Sequence, residues 1–437
     1  MHRISRLPFM LAMLLLPGLA VAGETSSRAV ALELLDRLDQ GRYAEAVEPF
    51  TPPMVDAVPA TQLHAIWTSL PAQFGAPLHR GAVTTTPAQG VELVAVPLYY
   101  ERGALTANVA ITPDGQIAGF RLVPLVPPPE SVPAAAGFIE RPIQVVSQRL
   151  PLAGTLTVPK GEGPFPAVVL VHGSGPHGRN ETIGPNHIFL QLARGLGEQG
   201  ITVLRYDKRT HTYPEQFADG DFTMEDETIA DAVAAVEVLR EQPEVRAGDV
   251  FVLGHSQGGM LAPRIAERTQ GLAGLVLFAA PARSLLDLLP EQNRYLFGLD
   301  RRITDEERDF LETLEQQIAA LRSERPIDRK NTPMQLPAAY WHHADRIDPV
   351  ADAQGIDVPM LLVQGGRDFQ VTQTDWERWK QGLADQTCLE FQYYPPLNHL
   401  GIAGQGASSL AEYQEPGDVD MQLITDIAGW INQVPDA

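Results

Sequence analysis

A single cysteine, Cys388, in 437 residues excludes an internal disulfide framework and any Cys-rich metal site. Basic residues are also short, 33 Lys and Arg against 54 Asp and Glu. The resulting formal charge of -21 would repel nucleic-acid phosphates and anionic membranes, so neither is expected as a partner. The acidic surplus reads as a solvated surface and carries no substrate preference. Long apolar runs are missing too. The clearest, Phe9 to Leu16, falls far short of the roughly 20 residues a membrane span needs. What is there is globular: 44% hydrophobic residues, and a length that exceeds what one core usually serves and points to about two domains.

His2, Arg3 and Arg6 precede that apolar run, Pro17-Gly18 breaks it, and Ala20-Val21-Ala22 puts small residues at signal-peptidase spacing. Residues 1–22 are expected to be a signal peptide cut after Ala22, giving a periplasmic or secreted protein without stable membrane insertion. A retained anchor is the alternative, but polar residues begin at Glu24 with no stop-transfer pattern. No cysteine near Ala22 could take a lipid.

Residues 23–123 read as a small α+β domain. Val30, Leu34, Leu35, Leu38, Tyr43, Ala46 and Val47 recur at helical spacing with Gly41 interrupting, which predicts two short helices, and a further helical stretch is expected around Thr61 to Leu70. Three β-rich runs follow, 90–100, 104–112 and 116–122, separated by Arg102-Gly103 and Asp114-Gly115 turns. His64 and His79 look like surface or packing histidines. The prolines of residues 124–140 forbid helix and sheet and predict an extended linker.

From 141 to 437 a hairpin (Gln144 to Leu150, Gly154 to Val158) leads into alternating strand and helix patterns, which imply a mostly parallel sheet with helices on both faces. The predicted strands are 167–171, 201–204, 250–253, 275–278, 360–363 and 388–394. The clearest helices are Met224 to Glu241, Gln257 to Arg268, Gln373 to Ala384 and Val419 to Val434. At about 283–350 the alternation pauses for a helical insert, a cap. Its apolar residues, Tyr340 and Trp341 among them, either line an acyl pocket or pack the cap on the body.

Gly254-His255-Ser256-Gln257-Gly258 joins a predicted strand to a predicted helix. A sharp turn there pushes Ser256 into solvent, needs glycine two residues to either side, and sets the hydroxyl at a helix N-terminus. A serine nucleophile needs a base and a carboxylate to orient it, in the chain order serine, acid, histidine. Asp368 follows the strand 360–363 through Gln364-Gly365-Gly366-Arg367, and His399 lies after the last strand. Asp375, Asp345 and Asp348 are the rival acids. His342 and His343 precede Asp368, break the order, and remain candidates for the pocket wall. The oxyanion hole is expected from the backbone amides of Gln257 and of Ser174, in the loop His172-Gly173-Ser174-Gly175-Pro176-His177-Gly178. His172 is a further pocket candidate. Irregular spacing of His172, His177 and His187 argues against a metal site.

Through His172-Gly173-Ser174-Gly175, Tyr206-Asp207-Lys208-Arg209, Gly254-His255-Ser256-Gln257-Gly258 and Gln364-Gly365-Gly366-Arg367-Asp368, residues 140–437 resemble exported bacterial α/β-hydrolases related to carboxylesterases and S9 serine peptidases. The order of elements ahead of them resembles the NTF2-like (DUF3887-type) domain that precedes some of these enzymes. Many relatives follow Lys-Arg with glycines, whereas Thr210-His211-Thr212-Tyr213-Pro214 stands here. The resemblance implies an α/β-hydrolase fold and a serine carboxylesterase acting on small to medium acyl esters without a cofactor. A peptidase, amidase or thioesterase shares that chemistry, but S9 peptidases bring a β-propeller for which about 120 residues are too few. Outside the hydrolases, the alternative is a ligand-binding or scaffold protein with a degenerate hydrolase domain.

Overall fold

The computed structural model describes residues 26–81, 83–88, 90–100, 103–125, 132–323 and 325–434. The expected signal peptide lies outside them, as do residues 126–131 of the expected linker. The chain divides into two compact units, residues 1–128 and 129–437. Among the described residues no helix is long and apolar enough to cross a membrane.

In the first unit, helices α1 (Ser27–Asp39) and α2 (Ala60–Phe74) pack with a five-stranded antiparallel sheet. Ser26 caps α1 through its hydroxyl, and Ala31, Leu34, Leu35 and Leu38 bury one face. Strands β3 (Val91–Tyr100), β4 (Gly103–Ile111) and β5 (Ile117–Pro124) form a meander. Alternation in β3 sends Val94, Val96, Leu98 and Tyr100 into the core. Two further strands, β1 (Pro77–Arg80) and β2 (Thr84–Ala88), pair with β3 beyond the three β-rich runs expected from the sequence. They are exposed edge strands with no apolar alternation to betray them. His64 packs on Tyr43 and His79 stacks on Tyr99.

The second unit opens with a hairpin of β6 (Phe138–Ser147) and β7 (Leu150–Pro159). Strand β6 thus starts inside the stretch expected as linker. The turn falls at Gln148-Arg149, both at positive φ (49° and 71°), a tight hairpin turn written without the glycine or asparagine that usually marks one. The remaining strands are β8 (Phe165–Val171), β9 (Thr202–Tyr206), β10 (Val245–His255), β11 (Gly274–Phe278), β12 (Met360–Gly365) and β13 (Leu389–Tyr394). Their order across the eight-stranded sheet is β13-β12-β11-β10-β8-β9-β7-β6. Only the contacts of β7 with β6 and β9 are antiparallel. Both faces are covered, so β8 reads as a continuous apolar run: Val169 and Val171 face one core, Val168 and Leu170 the other.

Helices α3 (Ile188–Glu198), α4 (Ala230–Arg240), α5 (Gln257–Arg268), α10 (Gln373–Gly382) and α11 (Met421–Gln433) flank this sheet. Between β11 and β12 the cap contributes α6 (Leu285–Phe297), α7 (Asp305–Arg322), α8 (Ala338–Asp345) and α9 (Pro349–Gln354). A reciprocal capping box between Thr304 and Glu307 starts α7. Because β8, β10, β11, β12 and β13 are parallel, the loops that follow them gather along one edge.

Candidate active site

Ser256 leaves β10 with φ 52° and ψ -120°, and α5 begins at the next residue. An L-residue held there costs about 1–3 kcal/mol, and the surroundings enforce it. Ser256 N donates to Phe278 O at 2.8 Å, and Ser256 O accepts from Met260 N at 3.0 Å. Gly258 is required by close approach: a Cβ there would stand 2.1 Å from Val171 O. Ser256 Oγ has no hydrogen-bond partner among the described residues.

The turn that carries Asp368 and the loop that carries His399 meet directly. His399 Nδ1 lies 2.7 Å from Asp368 Oδ2, both side chains buried. The same oxygen accepts from Gln364 Nε2 at 3.2 Å, while Oδ1 accepts from the amides of Gln370 (2.8 Å) and Val371 (2.9 Å). The carboxylate is thus fixed on all sides. Asn398 Oδ1 holds the His399 loop by accepting from the amides of Leu400 and Ile402. Gly365 lets the two loops touch, since a Cβ there would fall 2.4 Å from Leu397 O. His399 O faces His255 Nε2 at 2.9 Å, which joins this loop to the residue before Ser256.

The rival acids are committed elsewhere. Asp375 is fully buried and accepts from Ala282 N, Arg283 Nε and Arg283 Nη2, anchoring the root of the cap. Asp345 pairs with Ser284 and Arg322, and Asp348 caps α9. His342 meets Leu321 O, and burial together with Arg264 and Arg346 lowers the pKa of His343.

The loop after β8 lies against Ser256, with a Cβ on Gly173 reaching within 3.2 Å of Ser256 Cβ. Gly173 N donates to Glu181 Oε1 at 2.6 Å, so that amide is occupied. The Ser174 amide has no acceptor among the described residues, and Ser174 is exposed. Gln257 N–H opens α5, where first-turn amides lack an intrahelical acceptor.

The three pocket candidates are packing residues in this structure. His172 is 1% exposed between Phe189 and Tyr206, and both its ring nitrogens lack partners. Burial, helped by Lys208 and His177 against Glu181, pushes its pKa down to about 3, so the ring is neutral. Tyr340 donates to Gln257 Oε1 at 2.9 Å and Trp341 to Pro333 O at 3.1 Å, both side chains buried.

The sequence reading missed Glu181. It is buried at φ 45°, and its Oε1 stands 3.2 Å from His255 Nδ1 as well as on Gly173 N. Burial alone would raise its pKa, but His255, His177 and His172 outweigh it and hold it at about 2. For His255 burial opposes the charge, yet Glu181 and the His399 carbonyl raise its pKa above the ordinary value. No local pattern announces an isolated glutamate in a loop; its role appears only when the loop folds back under β8 and β10.

Among the described residues no group of three or more His, Cys, Asp or Glu side chains could hold a metal ion. A serine on a strained strand-to-helix turn, a buried acid–histidine pair and an unpaired loop amide, all at one edge of a mostly parallel sheet, define a serine hydrolase of the α/β-hydrolase fold. Residues 163–402 match the family described as serine aminopeptidase, S33, and the chain belongs to that family. Residues 31–120 match DUF3887, a family of unknown function. The esterase EstD of Thermotoga maritima is 39% identical over 373 residues, 84% of this chain and 86% of that one. Similar solved structures include an esterase of Pyrococcus furiosus, 14% identical over 70% of this chain and 94% of that one, with a TM-score of 0.44. A puromycin-hydrolyzing peptidase of Mycobacterium tuberculosis is 16% identical over 82% of this chain and 48% of that one, with a TM-score of 0.45.

Proposed function

We propose that the chain is a serine carboxylesterase acting on small to medium acyl esters through an acyl-enzyme on Ser256. The observation that carries this reading is the 2.7 Å bond between Asp368 and His399 at the edge where Ser256 emerges. Asp368 fixes His399 with Nδ1 turned to the carboxylate, which leaves Nε2 to take the proton of Ser256 Oγ. The serine–histidine contact closes when substrate is present, as catalytic contacts in free enzymes often do. The alkoxide adds to the ester carbonyl, the Ser174 and Gln257 amides hold the oxyanion, and His399 returns the proton to the departing alkoxide. Water, activated by the same histidine, then releases the acid and frees Ser256.

The likeness to an esterase over most of both chains supports ester over amide substrates. The family description favours a second reading, aminopeptidase or amidase activity at the same serine. A panel of p-nitrophenyl esters, thioesters and aminoacyl amides separates them: kcat/KM highest on short esters supports the esterase, and highest on aminoacyl amides overturns it. A fluorophosphonate probe tests the nucleophile, since labelling should vanish in Ser256→Ala; an unlabelled wild-type chain would sink both readings.

Export belongs to the same proposal, supported by the basic end, apolar run and Ala20-Val21-Ala22 of the leader. N-terminal sequencing of the protein recovered from periplasm or medium should start at Gly23. Recovery only from cytosol with the leader intact would refute it.

A further inference from the structure

Both proposed oxyanion donors are backbone amides, so something must aim them. The Ser174 N–H shares a peptide plane with the Gly173 carbonyl, and in a trans peptide the two point in opposite directions. Whatever grips Gly173 O therefore sets the direction of Ser174 N–H. That grip is Lys208, whose Nζ donates to Gly173 O at 3.0 Å from a side chain only 2% exposed.

The ammonium is not alone. Lys208 Nζ lies 3.2 Å from Glu227 Oε1, and Glu227 Oε2 accepts from Gln257 Nε2 at 3.4 Å. Gln257 Oε1 in turn accepts from Tyr340, which locks the side chain of the residue that carries the second donor. Thr210 Oγ1 donates to Glu227 from the other side. A buried chain of polar contacts thus runs from Gly173 through Lys208 and Glu227 to Gln257. Replacing a buried ion pair by apolar residues of similar volume is often neutral or stabilising, so stability alone does not account for a charged pair at this place.

We infer that Lys208 is a positioning residue of the oxyanion hole: it fixes the Gly173 carbonyl, thereby aims Ser174 N–H, and through Glu227 ties that peptide to Gln257. The inference rests on Ser174 and Gln257 being the oxyanion donors. It gives Lys208 a part in transition-state binding without contact with substrate.

The test is Lys208→Met in the full chain, with p-nitrophenyl acetate kinetics and a trifluoromethyl ketone that forms a tetrahedral adduct on the serine. Misaiming one donor should lower kcat by about 100-fold while KM moves by less than about threefold. Ketone affinity should fall by the same factor as kcat/KM, a parallel that mere loss of stability does not produce. A folded variant with kcat within about threefold of wild type, or with undiminished ketone affinity, overturns the proposal. If the unpaired Glu227 prevents folding, Lys208→Met with Glu227→Gln removes the stranded charge and is judged by the same two outcomes. Ester turnover that needs Ser256 but ignores Lys208 defeats only this inference. Wild-type protein without Ser256-dependent turnover defeats the esterase reading, and this inference with it.

Discussion

Both units carry ion pairs on their surfaces, but only one of them also buries charge. In the amino-terminal unit the ion pairs lie on the surface: Arg80 reaches Asp36 and Asp39 at 2.6 Å each, with the carboxylates 56% and 51% exposed. Among the described residues no charged side chain of that unit is buried. The hydrolase unit buries Glu181, Lys208, Arg209, Glu227, Asp231, Asp368 and Asp375. Burying a charge costs several kcal/mol unless it is paired and hydrogen-bonded, and most of these flank the loops at the carboxyl edge. The contrast separates a domain held by its apolar core from one that accepts desolvation to fix backbone and side chains around Ser256.

The sharpest way to break this contrast is Asp368→Asn. It keeps the shape but favours the wrong histidine tautomer, and kcat should fall by about 10⁴-fold with little change in melting temperature. Full activity in that variant would mean Asp368 is only a packing residue. Next in size is Arg209→Met. Arg209 pairs with Asp231 and bonds Ser147, and removing one partner of a buried pair should cost about 3–5 kcal/mol in denaturant unfolding of the intact chain. A cost under about 1 kcal/mol would place this pair with the surface ones.

Glu181→Gln should cost less, about 1–3 kcal/mol, and its effect should depend on pH. The pKa of His255 is raised, so its contribution is complete below about pH 6.5 and fades as pH rises through the raised value. The pKa of Glu181 is depressed, so its contribution is present above about pH 4.5 and is lost as pH falls toward 2. The gap in melting temperature between wild type and Glu181→Gln should therefore be widest near about pH 5–6 and narrow toward pH 9; a constant gap would refute the pairing. The smallest effect is expected from Arg80→Ala, below about 1 kcal/mol and weaker still in salt. A loss of several kcal/mol there would erase the difference between the units.

Much of the hydrolase unit was legible because its signals are local. Short apolar strands, the Gly-His-Ser-Gln-Gly turn and the helix beginning at Gln257 each depend on neighbours in sequence. The alternation of strand and helix then forces a parallel sheet whose edge collects Ser256, Asp368 and His399. The hairpin turn at Gln148-Arg149 and strands β1 and β2 were not legible, because pairing to a partner strand decides them and no residue type announces it.

The sequence by itself determined the elements, their order, and the residue types at the strand ends, since these follow from propensity and periodicity within short windows. Only the tertiary structure decided which side chains hold those ends in place. It buried His172, Tyr340 and Trp341 instead of leaving them on a pocket wall, gave Asp375 to the cap root, and set Glu181 and Lys208 on the two sides of Gly173. The physical reason is that burial and pairing of polar groups depend on segments far apart in the chain: Asp375 meets Ala282 across 93 residues and Lys208 meets Gly173 across 35. No local pattern encodes such contacts.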